Sequence, residues 1–276
     1  LKENALAGRN AFSKKIFKLE RTDLMQEKSF HAEGIILATT DFGDAHRVVT
    51  IYTKEFGKLD VNAYGCRRAH SRLAGSMMMF NHVSVELLHG AKVDMVRDAE
   101  VLNAFRITDD LLRIAYASLL FEIVNQMTPL NQKDEDIFFL LLNALKTFVE
   151  RNPRVVCIIA ACQFMAEAGI QLRLDRCVDC NRELDDASSI DVLADGALCS
   201  KCSPNHRDAI PFPPATRELL DELMSFDWKA ESHLTMRAAT LIAIERILLA
   251  HVKSTIDRPL QSLKFLEQLI AIMPHA

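Results

Sequence analysis

HRVVTIYTKEFGKLDVNAY, residues 46–64, contains two alternating runs joined by a glycine-containing turn. In the first run Val49 and Ile51 fall on one side and Val48, Thr50 and Tyr52 on the other. In the second, Leu59, Val61 and Ala63 oppose Lys58, Asp60, Asn62 and Tyr64. A period of two is the period of a strand, because successive side chains leave opposite faces. KEFGK at 54–58 supplies a hairpin turn around Gly57. Upstream lie a short apolar run at 32–38 and a turn, DFGD, at 41–44. Downstream, GCRRAHSRLAG at 65–75 breaks the pattern. Residues 77–88 then alternate again, with Met77, Met79, Val83, Val85 and Leu87 on one face, and a last strand is expected within 91–106. Five short strands with one interruption after the third fit a small closed barrel, and the place of the interruption points to an OB-fold.

From Thr108 the apolar period becomes helical. Asp109 and Asp110 can cap a helix running to Met127, where Thr128-Pro129 ends it. A second helix spans 134–151, with Ile137, Phe138, Leu141, Leu142, Leu145 and Phe148 as its stripe; Asp134, Glu135 and Asp136 suit the positive end of its dipole. Residues 154–168 form a nearly all-apolar helix, expected at the centre of its domain and stopped by Gly169. Further helices are expected at 215–224, 233–254 and 259–272. The predicted class is thus α+β and multi-domain. A basic leader with some helical character (1–29) precedes an OB-fold β-barrel (30–107), and an α-helical bundle with an inserted four-Cys zinc element follows (108–276).

That element is CVDC, eighteen residues, then CSKC. Cys177, Cys180, Cys199 and Cys202 form two C-x-x-C pairs, each a knuckle able to offer two thiolates to one tetrahedral Zn²⁺. Four cysteines fill the coordination sphere and leave no place for a catalytic water, so a zinc site here would be structural; an iron–sulfur cluster, a redox dithiol and metal-free thiols are the alternatives to it. The acidic, polar loop between the pairs would draw its folding free energy from the metal. His206, four residues past Cys202, could substitute for a ligand, but reads more readily as an exposed loop histidine. Of the other three cysteines, Cys157 and Cys162 lie in an apolar helical run as core thiols and Cys66 stands alone, a pattern suited to a reducing cytoplasm.

At 49% hydrophobic and 25% charged residues, the composition is that of a globular chain. No apolar run reaches the roughly eighteen residues of a membrane span, and the first residues lack a signal peptide's apolar core. The net charge of −4 is unevenly spread: residues 1–29 hold seven Lys or Arg against four Asp or Glu, and residues 108–276 hold seventeen against twenty-four. Any nucleic-acid surface must therefore be local. The most basic window is 54–72, where Lys54, Lys58, Arg67, Arg68 and Arg72 face only Glu55 and Asp60, with Tyr52, Phe56 and Tyr64 interleaved. Cations for phosphates beside rings for bases suit single-stranded nucleic acid, although a solvated face and barrel core give the same pattern. No phosphate-binding loop, dinucleotide fingerprint, HExxH or GxSxG is present.

Three stretches together resemble the RecO family of bacterial DNA repair proteins: GIILATTDFGDAHRVVTIYTKEFGKLDVNAYGCRRAHSRLAG at 34–75, LDRCVDC…CSKC at 174–202 and RPLQSLKFL at 258–266. The resemblance spans about residues 30–270 and is sharpest in the first block. There a strand, G-D-x-x-R, T-x-x-x-G-K and G-x-R-R-x-x-S-R-L-x-G follow in register. It implies an N-terminal OB-fold and a helical domain with a four-Cys zinc element. It also implies a non-enzymatic, cytoplasmic, nucleoid-associated mediator that binds single- and double-stranded DNA and anneals complementary strands. Such a mediator helps load RecA with RecR on DNA coated by single-stranded-DNA-binding protein, whose C-terminal tail it binds. The resemblance places DNA contacts at Arg47, Lys58, Arg67, Arg68 and Arg72, and the basic window adds Lys54. The rival readings are a zinc-stabilised interaction scaffold whose barrel binds a peptide, and a metal-dependent hydrolase, which would need an open metal position.

Overall fold

A computed structural model describes residues 29–230 and 237–272. The expected leader helix within 11–24, and the start of the helix expected from His233, lie outside the described residues. Five strands close a barrel in the order β1 (Ser29–Phe42), β2 (His46–Thr53), β3 (Gly57–Ala63), β5 (Asp94–Asn103) and β4 (His82–Leu88). The β3–β5 pair is parallel and the others antiparallel, which is the strand order of an OB-fold. The expected alternation is realised: Val49, Ile51, Leu59, Val61 and Ala63 point into a core completed by Ile36, Val83, Val85 and Leu87.

The T-x-x-x-G-K segment has a physical cause. Thr53 Oγ1 donates to the Gly57 carbonyl (2.8 Å) and accepts from the Phe56 N–H (3.1 Å), which clasps the hairpin turn. Gly57 adopts φ +69, and a Cβ there would stand 1.8 Å from the Gln132 carbonyl oxygen. Only glycine satisfies both demands. The Lys58 carbonyl accepts from the Asn131 N–H at 2.8 Å.

Two expectations require correction. The long strand expected over 77–88 begins only at His82. Residues Leu73–Ser76 form a short helix, α1, and Phe80 turns through φ +73 with its N–H bonded to the Ile36 carbonyl. Met77 is buried as expected, but from the turn after α1 and not from a strand. Conversely, the run read at 32–38 belongs to a fourteen-residue β1 that pairs with both β2 and β4.

The helices are α2 (Leu111–Met127), α3 (Glu135–Glu150), α4 (Pro153–Glu167), α5 (Pro214–Met224), α6 (Ala238–Thr255) and α7 (Gln261–Ile272). Asp110 and Asp134 accept from the free N–H groups at the starts of α2 and α3, the capping role their positions suggest. Pro153 opens α4 and Gly169, at φ +68, follows its end. The apolar α4 packs against α2, α5 and α6. Cys157 and Cys162 lie buried in it, and burial pushes the Cys162 thiol up to about 12, so both are inert core groups. The RPLQSLKFL stretch is explained by Glu122 of α2, whose carboxylate accepts from the Gln261 and Ser262 N–H groups and the Ser262 hydroxyl at the start of α7. Glu245 of α6 pairs with Arg154 of α4, not with its neighbour Arg246.

By contacts the chain divides into two compact units. One contains the barrel, through Arg106, with Thr128–Leu142; the other contains Ile107–Met127 and the chain from Asn143. No helix among the described residues is long and apolar enough to cross a membrane.

Replacing Gly57 by Ala should lower stability by about 2 kcal/mol or more, since it combines a left-handed backbone with a backbone clash. Urea denaturation checks this, and an unchanged midpoint would mean that the turn relaxes freely.

Candidate metal centre and nucleic-acid interface

The four-Cys element lies between α4 and α5 on a small sheet of order β7–β6–β8 (Gly196–Leu198, Ser189–Asp191, Ile210–Pro211). Each knuckle is shaped by its backbone. In the first, the Asn181 N–H bonds to the Cys177 carbonyl and Asn181 turns through φ +58. In the second, the Cys202 and Ser203 N–H groups bond back to the Cys199 carbonyl. The first knuckle is laid against β7: the Val178 N–H bonds to the Ala197 carbonyl, and a Cβ on Gly196 would strike the Arg173 carbonyl at 2.4 Å.

The four sulfur atoms lie within 4.8 Å of one another, with Cys180 and Cys199 at 3.6 Å. A tetrahedron with arms of ~2.3 Å has edges of roughly 3.8 Å, so the donor set fits a thiolate-bound metal ion. Protonation points the same way. Burial opposes ionisation of Cys177, but neighbouring backbone N–H groups and the Cys180 thiol outweigh it and bring the thiol down to about 6. Cys202, hydrogen-bonded to Cys180, is driven up to about 12. Four sulfurs this close cannot all carry charge without a cation among them.

His206 is not the free loop histidine expected. Its Nδ1 meets Asp191 at 2.6 Å and its Nε2 meets Asp179 at 3.0 Å, so it ties the first knuckle to β6. The hydrogen bond to Asp191, then that to Asp179, raises its pKa. Asp185, from the acidic loop, accepts from the Ser200 N–H and hydroxyl and holds that loop to the second knuckle.

The six expected DNA-contact residues do not form one patch. Arg47 and Arg67 meet at the barrel end where β2 begins and β3 ends, and Arg68 and Arg72 follow in the 65–72 segment. The 65–72 break is fastened there by the Gly65 N–H to His46 Nδ1 (2.8 Å) and the Arg67 N–H to the Ala45 carbonyl (3.1 Å). Asp41 joins two of the cations, meeting Arg47 Nε at 2.8 Å and Arg67 Nε at 3.2 Å. The hydrogen bond from Arg47 holds the Asp41 carboxyl below its ordinary range. Arg68 and Arg72 are exposed.

Lys54 and Lys58 stand at the opposite end of the same hairpin, seven residues or roughly 23 Å of strand away from Arg47 in the case of Lys54. Lys54 lies over the Phe139 ring at 5.3 Å. Lys58 is only 8% exposed, and burial holds its amine below the usual range, so it is not a surface cation. The aromatic reading divides similarly. Tyr52 is buried, with its hydroxyl 3.4 Å from the Asp134 carbonyl, and Phe56 packs on the barrel core. Tyr64 is 50% exposed and sits in a ring cluster with Phe42 and His46. Sequence reasoning missed Phe42 and His46, although DFGD-x-H placed them on either side of the turn that leads into the strand carrying Arg47.

Two family models cover the chain, one described as Recombination protein O N terminal over residues 25–105 and one as Recombination protein O C terminal over residues 108–264. The chain is similar to proteins named DNA repair protein RecO in three bacteria. It is 28% identical to that of Symbiobacterium thermophilum, covering 87% of this chain and 97% of the relative. It is 28% identical to that of Halalkalibacterium halodurans, covering 89% and 98%, and 27% identical to that of Bacillus subtilis, covering 86% and 93%.

If His206 braces the metal centre, His206→Ala should release bound metal to a chelator about tenfold faster, as loss of a supporting hydrogen bond does elsewhere. An unchanged rate would reduce His206 to a surface contact.

Proposed function

The chain belongs to the RecO family of DNA repair proteins, and on that premise we propose that it is a non-enzymatic, cytoplasmic recombination mediator. It binds single- and double-stranded DNA, anneals complementary strands and helps RecR load RecA. The observation that carries the DNA reading is the pair Arg47 and Arg67 held on one bridging carboxylate, Asp41, at one barrel end, with exposed Arg68 and Arg72 in the segment that follows. An arginine cluster takes phosphates by displacing counterions, and two strands whose phosphates are so neutralised repel each other less and pair more readily. Lys54 is a separate, outlying contact, and buried Lys58 is left out.

In this reading the barrel, residues 30–107, holds DNA. The helical part, residues 108–276, offers surfaces to RecR and to the C-terminal tail of single-stranded-DNA-binding protein. The four thiols hold Zn²⁺, which takes four sulfur ligands without geometric strain. Bound, it would neutralise the thiolates and fasten the two knuckles, and it would supply no reaction. Elemental analysis finding iron, or no metal, contradicts this assignment.

Fluorescence anisotropy with a labelled single strand at several salt concentrations tests the DNA reading. Affinity should fall linearly with salt on logarithmic axes, and Arg67→Ala with Arg68→Ala should reduce the slope by about 1.4, or ~0.7 per lost phosphate contact. Binding with an unchanged affinity and slope in the double variant would remove this end of the barrel from the interface.

A further inference from the structure

The four sulfurs of the metal element are not equally shielded. Cys177 and Cys199 are each 2% exposed and Cys202 is half-buried, whereas Cys180 is exposed. Its neighbours Asp179 and Asn181 are exposed as well, so the first knuckle opens to solvent at its second cysteine. Cys180 also reaches across to the other knuckle, with its Sγ 3.6 Å from that of Cys199. Metal binding accounts for the closeness of the four thiols and does not require one of them to face water.

Bonds that do not pass through sulfur keep this pair together. The Val178 N–H bonds to the Ala197 carbonyl, which ties the first knuckle to β7, and Cys199 directly follows β7. Asp185 holds Ser200, the neighbour of Cys199. His206 holds Asp179, the neighbour of Cys180, and ties it to Asp191 of β6. None of these bonds uses a thiol, so Cys180 and Cys199 are brought to each other by the chain around them.

We propose that Cys180 is an oxidation site for hydrogen peroxide, through which the element exchanges its metal ion for a Cys180–Cys199 disulfide that joins the two knuckles. The inference rests on the metal reading above and goes beyond it. The thiolate is the reactive form of a cysteine, and an exposed one meets a small oxidant first. The Cys180 thiolate attacks one peroxide oxygen, the O–O bond breaks and hydroxide leaves, which gives a sulfenic acid. The Cys199 thiolate then attacks the Cys180 sulfur, and the S–O bond breaks with loss of a second hydroxide as the S–S bond forms. Two thiolates have lost two electrons in all, and one peroxide has been reduced to two hydroxide ions. Cys177 and Cys202 alone leave half of the coordination shell empty, so the ion is given up. The knuckles stay joined, because the new bond connects the same two segments that the ion connected.

The test treats the metal-loaded parent chain with one equivalent of hydrogen peroxide, reads released Zn²⁺ with a metallochromic dye, then blocks free thiols and maps disulfides after trypsin. Trypsin cuts after Arg176, Arg182, Lys201 and Arg207, so the four cysteines fall on three peptides, 177–182, 183–201 and 202–207. The expected product joins 177–182 to 183–201, with fragmentation placing the bond on Cys180, and about one Zn²⁺ is released per chain. Any other pairing overturns the proposal, whether a bond inside 177–182 or one joining 183–201 to 202–207, each of which closes a single knuckle. Oxidation of Cys180 to a sulfinic acid without a cross-link overturns it too, as does Zn²⁺ that stays bound. Cys180→Ser should lose the cross-link and Cys202→Ser should keep it; where either variant fails to fold, the map of the parent chain decides. A purified parent that holds iron, or no metal, would instead overturn the metal reading itself.

Discussion

Strand β1 is hydrogen-bonded to β2 and to β4 at once, and the barrel exists because of that double pairing. Gly34 and Ile35 are partners of Thr53 and Tyr52 on one side and of Val83 and His82 on the other. The register shift between Ile36 and Ala38 lets the strand bend from one neighbour to the next. Closure needs one more joint, the short parallel pairing of β3 with β5, and the 64–81 segment spans the distance between β3 and β4. Closure removes the long free edges that an open sheet would present, although the β3–β5 joint is only two residue pairs long. What remains available for recognition is the ends of the barrel, and the arginines and Tyr64 are at one of them.

The metal element solves a different problem with a similar economy. Two three-residue strands and one two-residue strand cannot bury enough apolar surface to hold themselves. Cross-links therefore replace the core: four sulfurs facing one point, Asp185 on Ser200, and His206 between Asp179 and Asp191. The side-chain bonds tie the segments that carry the four cysteines to each other and to β6, and a fully ligated ion does no chemistry.

The barrel was legible in the sequence because Val49, Ile51, Leu59, Val61 and Ala63 obey a period of two on both sides of a glycine turn. The four-Cys element was legible because its spacing is nearly sufficient by itself. What the sequence did not disclose was what covers each face. Lys58 and Tyr52 sit on the outward side of their strands, where alternation alone makes them surface residues. Residues 131 and 134, seventy or more positions away, bond to that side of the hairpin, and both side chains are buried. The misreading of 77–88 has another cause. Met77 and Phe80 are apolar because they fill the barrel core and its rim from a turn, and an apolar residue in a turn carries the same letter as one in a strand. His206 escaped because its partners, Asp179 and Asp191, are joined to it only by the fold.

If the end of the barrel formed by residues 41–47 and 64–72 is where DNA is held, hydrogen exchange measured with and without a single-stranded oligonucleotide should show it directly. Amides in those two segments are expected to slow when DNA is added, while those of 177–202 stay as they were. Protection confined to 177–202 or to the helices, with the barrel end unchanged, would contradict the account.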